Sequence, residues 1–482
     1  MFKETSQQKL IVIFLISSIL IGLIFRFYNL NYDSLWFDEI VGFWVSDPEI
    51  SIKESYIKHN QSEGGAFFFN FLLKITHKIF GYSPFAGRYL AAVLGSFSIL
   101  FMGLLSKKIR NNNSFILTIF LVSFNVFLIK YSQEARFYSL TFLLSSLTIL
   151  FLNNLLINNY NKKKLFLNSL YFILFQILAI ISNMFAAIIF FSVLTFYIFY
   201  FYKNKKIFKN LNISIIFISI FFCFYLPFYI ISAEISPSWM VQPGLKFFTN
   251  FYFSTFFGSR LLGIIHLFIL IFLIINFRKK IINKFDIVLF LTILLILSYA
   301  VPLIFGFIFK PIIHSRYIIY ALIPIITLIS FFIFEINNKY IKNFLIIFII
   351  LITIGNQFTE WNVKQFFEIR PKFKTDYIGA IKEIETSNKK NIFINHNFET
   401  DMFPDAIRNY IENFYNKKNK IVFLKKNQNI YEKNIKYLWI ICAQDLGEYS
   451  PDCSKVNLKK KYNIIKNHSF NSLNLKLIKF NN

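Results

Sequence analysis

The sequence predicts a polytopic α-helical membrane protein, about eleven spans followed by a small soluble α/β domain. Three observations carry that prediction. Hydrophobic residues fill 56% and aromatic residues 20% of the 482 positions, with a mean hydropathy of +0.52, too apolar for a chain that must keep its surface wet. Many apolar runs reach or exceed the roughly 18 to 20 residues that carry a helix across a bilayer. Polar links separate those runs, and Lys and Arg concentrate in every second one.

The elements follow in order. MFKETSQQK precedes an apolar run that continues to Phe25 with no small-residue cleavage site, and reads as an uncleaved signal anchor. Spans are expected at about 9–25, 85–106, 114–130, 137–156, 165–182, 184–202, 211–231, 260–277, 286–308, 316–334 and 341–358. With a cytoplasmic N-terminus, the basic links 107–113, 161–164, 203–209, 278–284 and 338–343 all fall inside. Residues 26–84, 132–138, 232–259, 314–317 and everything after about 359 then face outward. The stretch GGAFFFNFLLKITHKIFGY, interrupted by Lys74, His77 and Lys78, is expected as an amphipathic helix along the outer interface, because counting it as a span inverts every later loop. The tail is richer in charge. Its helix-like DYIGAIKEIET and DAIRNYIENFY alternate with strand-like NIFINH, IVFL and KYLWIICA, so the domains expected are 1–359 in the membrane and 360–482 as an outward α/β unit.

The formal charge of +27 is spread over the links rather than gathered in one patch, so no nucleic-acid partner is expected. There is no Gly-rich nucleotide loop, Walker lysine motif or zinc-type Cys cluster, which leaves soluble nucleotide donors unsupported. Cys442 and Cys453 pair only if the tail sits in an oxidising compartment, and their spacing leaves both states open.

Charged groups collect on the outward side: Asp38, Glu39, His59, Glu63, Arg88, Glu134, Arg136, Arg260, His314 and Arg316. In LWFDEIVGFW the acids Asp38 and Glu39 sit among Trp36, Phe37, Phe43 and Trp44. They read either as acids capping a helix or as a partly desolvated base. In SQEARFY, Glu134, Arg136 and Tyr138 read either as an interfacial anchor or as a phosphate clamp, since guanidinium forks match phosphate oxygens. HSRY repeats the choice with Arg316 and Tyr317. His59 and Glu63 lie four apart, one helical turn, but two ligands do not make a metal site, and no metal or other cofactor is expected.

These parts suit transfer of a group from a lipid phosphate. The leaving phosphate departs as an anion and needs cations, while the incoming hydroxyl needs a base, so one carboxylate with an arginine clamp suffices. The alternative is a lipid-linked glycan flippase, which requires polar groups along a path through the spans; the charges cluster at one face instead.

In their order and common outward placement, several stretches resemble the GT-C membrane glycosyltransferases, specifically the bacterial relatives of protein O-mannosyltransferases and of the aminoarabinose transferase acting on lipid A. RFYNLNYDSLWFDEIVGFW resembles the first outer loop of that family, FFFNFLLKITHKIFGYSPFAGRYLAAVLGS its interfacial helix and following span, IKYSQEARFYSL its second outer signature, and HSRYIIYALIP its late Arg-Tyr. The resemblance implies a GT-C-like bundle and a polyprenyl-phosphate-linked sugar as donor, with inversion at the anomeric carbon. It implies Asp38 as base with Glu39 in support, and Glu134, Arg136, Tyr138 and Arg316 near the donor phosphate. Trp36, His59, Glu63 and Arg88 are left to the acceptor side or to support. The acceptor implied is a hydroxyl on a lipid, glycan or protein of the cell envelope, reached from the outer face of a bacterial inner membrane. One departure stands out: Gly64-Gly65 replaces the Pro-Pro-Leu-Tyr stretch that follows the His in many bacterial relatives.

Overall fold

A computed structural model describes residues 6–62, 67–157, 161–204, 208–233, 240–284, 286–358, 374–396, 402–414, 422–424, 435–444, 450–453, 458 and 461–481. Glu63, the Gly64-Gly65 departure and the boundary expected at 359/360 lie outside these residues.

In chain order, α1 (Ser6–Phe27) is followed by the shorter α2 (Phe37–Val45), α3 (Ile52–Ser62) and α4 (Phe68–Phe80). Next come α5 (Pro84–Ile109), α6 (Asn112–Ser123), α7 (Val126–Ser132), α8 (Tyr138–Leu156), α9 (Lys162–Ser182), α10 (Ala187–Asn204) and α11 (Lys209–Ala233). Two short helices, α12 (Leu245–Asn250) and α13 (Phe253–Phe256), lead to α14 (Arg260–Lys284), α15 (Asp286–Ile308), α16 (Leu322–Glu335) and α17 (Lys339–Gln357). The tail folds as α18 (Tyr377–Thr386), β1 (Asn391–Asn395), α19 (Met402–Phe414), β2 (Val422–Leu424), β3 (Tyr437–Ala443), β4 (Tyr462–Phe470) and β5 (Leu473–Phe480).

Each of the eleven apolar runs becomes helical where the hydropathy pattern puts it. Among the described residues nine helices are long and apolar enough to cross a membrane, and α6 with α7 makes a tenth if that bent pair is one span. The remaining run, Ile319–Glu335, is shorter, because HSRY forms a turn ahead of it. The chain divides into two compact units, residues 1–29, 64–69 and 88–370, and residues 30–63, 70–87 and 371–482.

In the first unit α8 is buried along nearly its whole length. Three of its small polar residues cost little there, because Thr141, Ser146 and Thr148 donate to carbonyls one turn back, at 3.0, 2.8 and 2.9 Å. The span expected to run unbroken over 114–130 is instead two helices at 59°. A break inside an apolar bundle strands carbonyls that water cannot reach. Arg26, fully buried, donates to the Val122 and Ser123 carbonyls at 2.9 and 3.1 Å and to Gly22 O at 2.9 Å. Gln357 Nε2 donates to Phe124 O. Asn125 restarts the helix by accepting from Leu128 N–H at 2.9 Å, and its own amide donates to Phe256 O at 3.0 Å. Gly22 permits the approach: a Cβ there would lie 2.7 Å from Ser123 Cβ.

The second unit contains a five-stranded sheet of order β2-β1-β3-β5-β4, parallel among β2, β1 and β3 and antiparallel from β3 to β5 to β4. The three strands read from the tail are there. The β4–β5 hairpin is an addition, turned through Asn471-Ser472 with Ser472 at φ 51°. Cys442 and Cys453 are joined in a disulfide. The polar residues that interrupt α4 have a structural cause. Lys74 and His77 are buried, and Lys74 Nζ donates to Asp47 O, while Lys78, Ile79 and Phe80 are exposed.

Candidate functional site

In the second unit, the acids of LWFDEIVGFW occupy the first turn of α2, where the helix dipole favours negative charge. Glu39 is fully buried and reaches back to accept the Trp36 N–H at 3.3 Å, satisfying a donor at the helix start. The same Oε2 meets Lys374 Nζ at 3.0 Å, and that ammonium lies 5.8 Å from the centre of the Trp36 ring. Lys374 is held in turn by Asn471, whose amide donates to Lys374 O at 2.9 Å. Asp38 is half-exposed on the same turn. The two acids therefore differ in kind: Glu39 is tied into the fold, and Asp38 has access to solvent.

Further along α2, Phe43 and His77 pack with ring centres 4.7 Å apart, and His77 lies 4.9 Å from Tyr82. The one Tyr82 O–H proton is shared between two acceptors, Phe43 O at 3.0 Å and Asn409 Oδ1 at 3.1 Å. Burial holds the His77 imidazole down to about 4, against the opposing pull of the Ser46 backbone and Asp47. Burial, and then the Asp47 charge, raises the Tyr82 phenol. His59, a candidate for the acceptor side, is buried with its Nδ1 3.0 Å from Asn70 Nδ2.

In the first unit, the two arginine motifs come together. A tight turn, with Arg136 N–H donating to Glu134 O at 2.7 Å, connects α7 to α8. Glu134, Arg136, Tyr138 and Arg316 are all buried. The Arg136 guanidinium lies 5.4 Å from the Phe137 ring centre and that of Arg316 lies 5.3 Å from Tyr317. The Phe137 and Tyr317 rings are themselves parallel, 6.4 Å apart at 7°, and Phe185 continues the ladder 5.5 Å from Tyr317. Tyr138 joins it, 4.5 Å from Phe137 and 4.7 Å from Tyr131. Asn183 Nδ2 anchors the Tyr317 carbonyl at 3.0 Å.

His314 adds no charge to this cluster. Burial, then the Arg316 and Lys130 charges, lowers its imidazole to about 3, and its Nδ1 accepts the Arg316 backbone N–H at 3.3 Å. The cations are thus Arg136, Arg316 and Lys130, beside the carboxylate of Glu134. Sequence reasoning passed over Lys130, Asn183 and Phe185. Lys130 was legible as a lone charge in an apolar run, whereas the other two carry no signal among so many Asn and Phe. Lys374 was likewise hidden in the basic PKFKTDY.

Arg88 is buried at the start of α5. Arg260 is exposed and bonds Thr249 Oγ1 at 3.2 Å. Among the described residues no group of three or more His, Cys, Asp or Glu side chains is placed to hold a metal ion.

No family model and no curated protein matches this sequence. Solved structures do match. ArnT from Cupriavidus metallidurans in the apo state aligns with a TM-score of 0.61 at 9% identity, covering 98% of each chain. The same protein bound to undecaprenyl phosphate aligns at 0.58 and 9%, covering 97% of this chain and 98% of that one. The archaeal oligosaccharyltransferase AglB from Archaeoglobus fulgidus, in complex with an inhibitory peptide and a dolichol-phosphate, aligns at 0.55 and 11%, covering 81% of this chain. This chain spans 63% of AglB's length. The fold shared with ArnT is a polytopic helical bundle with a small C-terminal sheet unit, the architecture expected from the sequence.

Proposed function

We propose that this chain, built on the GT-C fold, is a membrane glycosyltransferase that moves a sugar from a polyprenyl-phosphate donor to a hydroxyl of a cell-envelope acceptor. The observation that carries the reading is the pair of buried arginines, each set on a ring of the Phe137–Tyr317 stack. The forked donors of a guanidinium group fit phosphate oxygens, and two of them with Lys130 outnumber the one carboxylate of Glu134. The solved relative ArnT, of the same fold, binds undecaprenyl phosphate.

In this reading Arg136 and Arg316 hold the donor phosphate and stabilise the negative charge that develops as the bond between sugar and phosphate breaks. Tyr138 packs the Arg136 side of the ladder, and Glu134 limits the net positive charge. Asp38 takes the proton of the acceptor hydroxyl as its oxygen bonds to the anomeric carbon from the face opposite the leaving group, so the configuration inverts. The products are the glycosylated acceptor, the polyprenyl phosphate and protonated Asp38. Glu39 acts as a positioning residue, fixing the turn that presents Asp38, and Trp36 walls the acceptor side. Arg88, His59 and Glu63 are assigned to support. The reading places the protein in the inner membrane, with the donor and acceptor engaged on its outer face.

The test is transfer by the protein in lipid nanodiscs, with polyprenyl-phosphate sugars and a cell-envelope extract. Wild type should transfer, and Asp38→Asn and Arg136→Ala should not. A folded, inserted and fully active Asp38→Asn removes the base assignment. Movement of the lipid across the bilayer with no transfer supports the flippase instead.

A further inference from the structure

The second unit carries a cleft of about 330 Å³ lined by Trp44, Lys58, Asp405, Arg408, Asn409 and Glu412. Its polar wall is one face of α19: positions 405, 408, 409 and 412 follow the spacing of a single helical stripe. The opposite stripe, Ala406, Ile407, Tyr410 and Ile411, is buried in the unit and fixes the helix. The wall is also held from within. Asn409 accepts from Tyr82 and donates to Asp47 Oδ2 at 3.3 Å, and Arg408 Nε donates to Glu412 Oε1 at 2.9 Å, leaving its two Nη groups as further donors. On the other side, Trp44 is half-exposed, with Lys58 Nζ 4.9 Å from its ring centre and 3.3 Å from Glu54.

Each part has a chemical meaning. An indole with planar carboxylate and guanidinium groups around it offers an apolar plate beside donors and acceptors in paired, fixed directions. A pyranose presents the complement, a C–H face and a rim of hydroxyls that both donate and accept. Among the lining residues Lys58 and Arg408 face Asp405 and Glu412, and Glu54 and Asp47 stand just behind Lys58 and Asn409, so there is no excess of positive charge, which disfavours phosphate or a polyanion. The volume lies at the lower end of the ~300–1,000 Å³ usual for small-ligand sites, the size of a mono- or disaccharide. Trp44 stands six residues after Asp38 on α2, about 9 Å along the helix at 1.5 Å per residue.

We propose that this cleft binds a neutral pyranose, and that the acceptor is therefore a glycan seated by a sugar next to the one that is modified. The acceptor part of the proposal rests on the transferase reading, whereas the sugar-binding part does not.

The full-length protein in lipid nanodiscs, free of sugar detergents, is tested by saturation-transfer NMR against methyl mannopyranoside, methyl glucopyranoside and diacetylchitobiose, with inorganic phosphate added as an anionic competitor. Undecaprenyl phosphate binding is measured on the same samples. At least one pyranoside should bind wild type at millimolar concentration. Trp44→Ala and Arg408→Ala should each weaken that binding about tenfold or more, Trp44→Phe less, with lipid-phosphate binding unchanged. No pyranoside binding, binding indifferent to both Ala variants, or displacement of the sugar by phosphate at equal concentration overturns the site. Pyranoside binding in a protein that neither binds the lipid phosphate nor transfers sugar keeps the site and sinks the transferase reading.

Discussion

Glu39 Oε2 and Lys374 Nζ lie 3.0 Å apart, linking a fully buried carboxylate at the start of α2 to a lysine 335 residues later in the chain. The pair has consequences for both stability and activity. Removing one partner of a buried pair strands the other, at a cost of about 3–5 kcal/mol. Lys374→Met should lower the unfolding temperature of the purified protein clearly, and Lys374→Arg should restore most of it. Combining Lys374→Met with Glu39→Gln should recover part of the loss. A double variant as unstable as the single one would show that the pair is not what Lys374 contributes.

Asp38 separates from its neighbour in the same experiment. Half-exposed in the first turn of α2, it should lose about 1 kcal/mol of stability on change to Asn, less than Glu39 does on change to Gln, while losing transfer by about 10²–10⁴-fold if it is the base. Unfolding and transfer measured on one preparation distinguish the two acids.

Arginine and lysine are unequal on the Phe137–Tyr317 ladder. Arg136→Lys and Arg316→Lys keep the charge but lose the fork and the flat stacking surface. Each should weaken binding of undecaprenyl phosphate about tenfold, the equivalent of about 1.4 kcal/mol. Titration of the nanodisc-bound protein with the lipid checks this, and affinities equal to wild type for both would remove the phosphate seat.

His77 predicts a pH dependence. Burial lowers its folded value to about 4 from an ordinary 6.5, so between these values the unfolded chain binds the proton and the folded one does not. Its stabilising contribution is therefore complete above about pH 6.5 and falls as pH drops toward 4, by up to about 3 kcal/mol in all. His77→Phe keeps a ring against Phe43 and Tyr82 and should flatten that slope. His314, lowered by burial and by Arg316 and Lys130, should leave a residual slope. An identical pH profile for wild type and His77→Phe would contradict the burial argument.

The direction of insertion is open to labelling. Asn113 is exposed in the first turn of α6, at the end of the basic stretch 107–113. In a Cys223→Ser background, Asn113→Cys should react with a membrane-impermeant maleimide only after the membrane is opened. Reaction in intact cells would reverse the orientation.

The hydropathy pattern alone determined where the apolar helices lie, because a lipid-facing helix must satisfy its backbone internally and so announces itself as a long apolar run. The same reasoning singled out the acids of α2 and both arginine motifs, since charge beside apolar runs is too costly to be incidental. It did not foresee the break between α6 and α7. Phe124-Asn125 reads like the rest of its span, and the break survives only because Arg26 and Gln357, far away in sequence, cap the exposed carbonyls. Nor did hydropathy separate the surroundings of Glu39 from those of Asp38, two adjacent carboxylates of nearly equal chemistry that only the family resemblance ranked, as support and base. Tertiary structure decided that, by burying one against Lys374 and leaving the other half in water. Long-range partners are set by packing, and a linear pattern carries no record of which lysine in a chain rich in lysine will meet which acid.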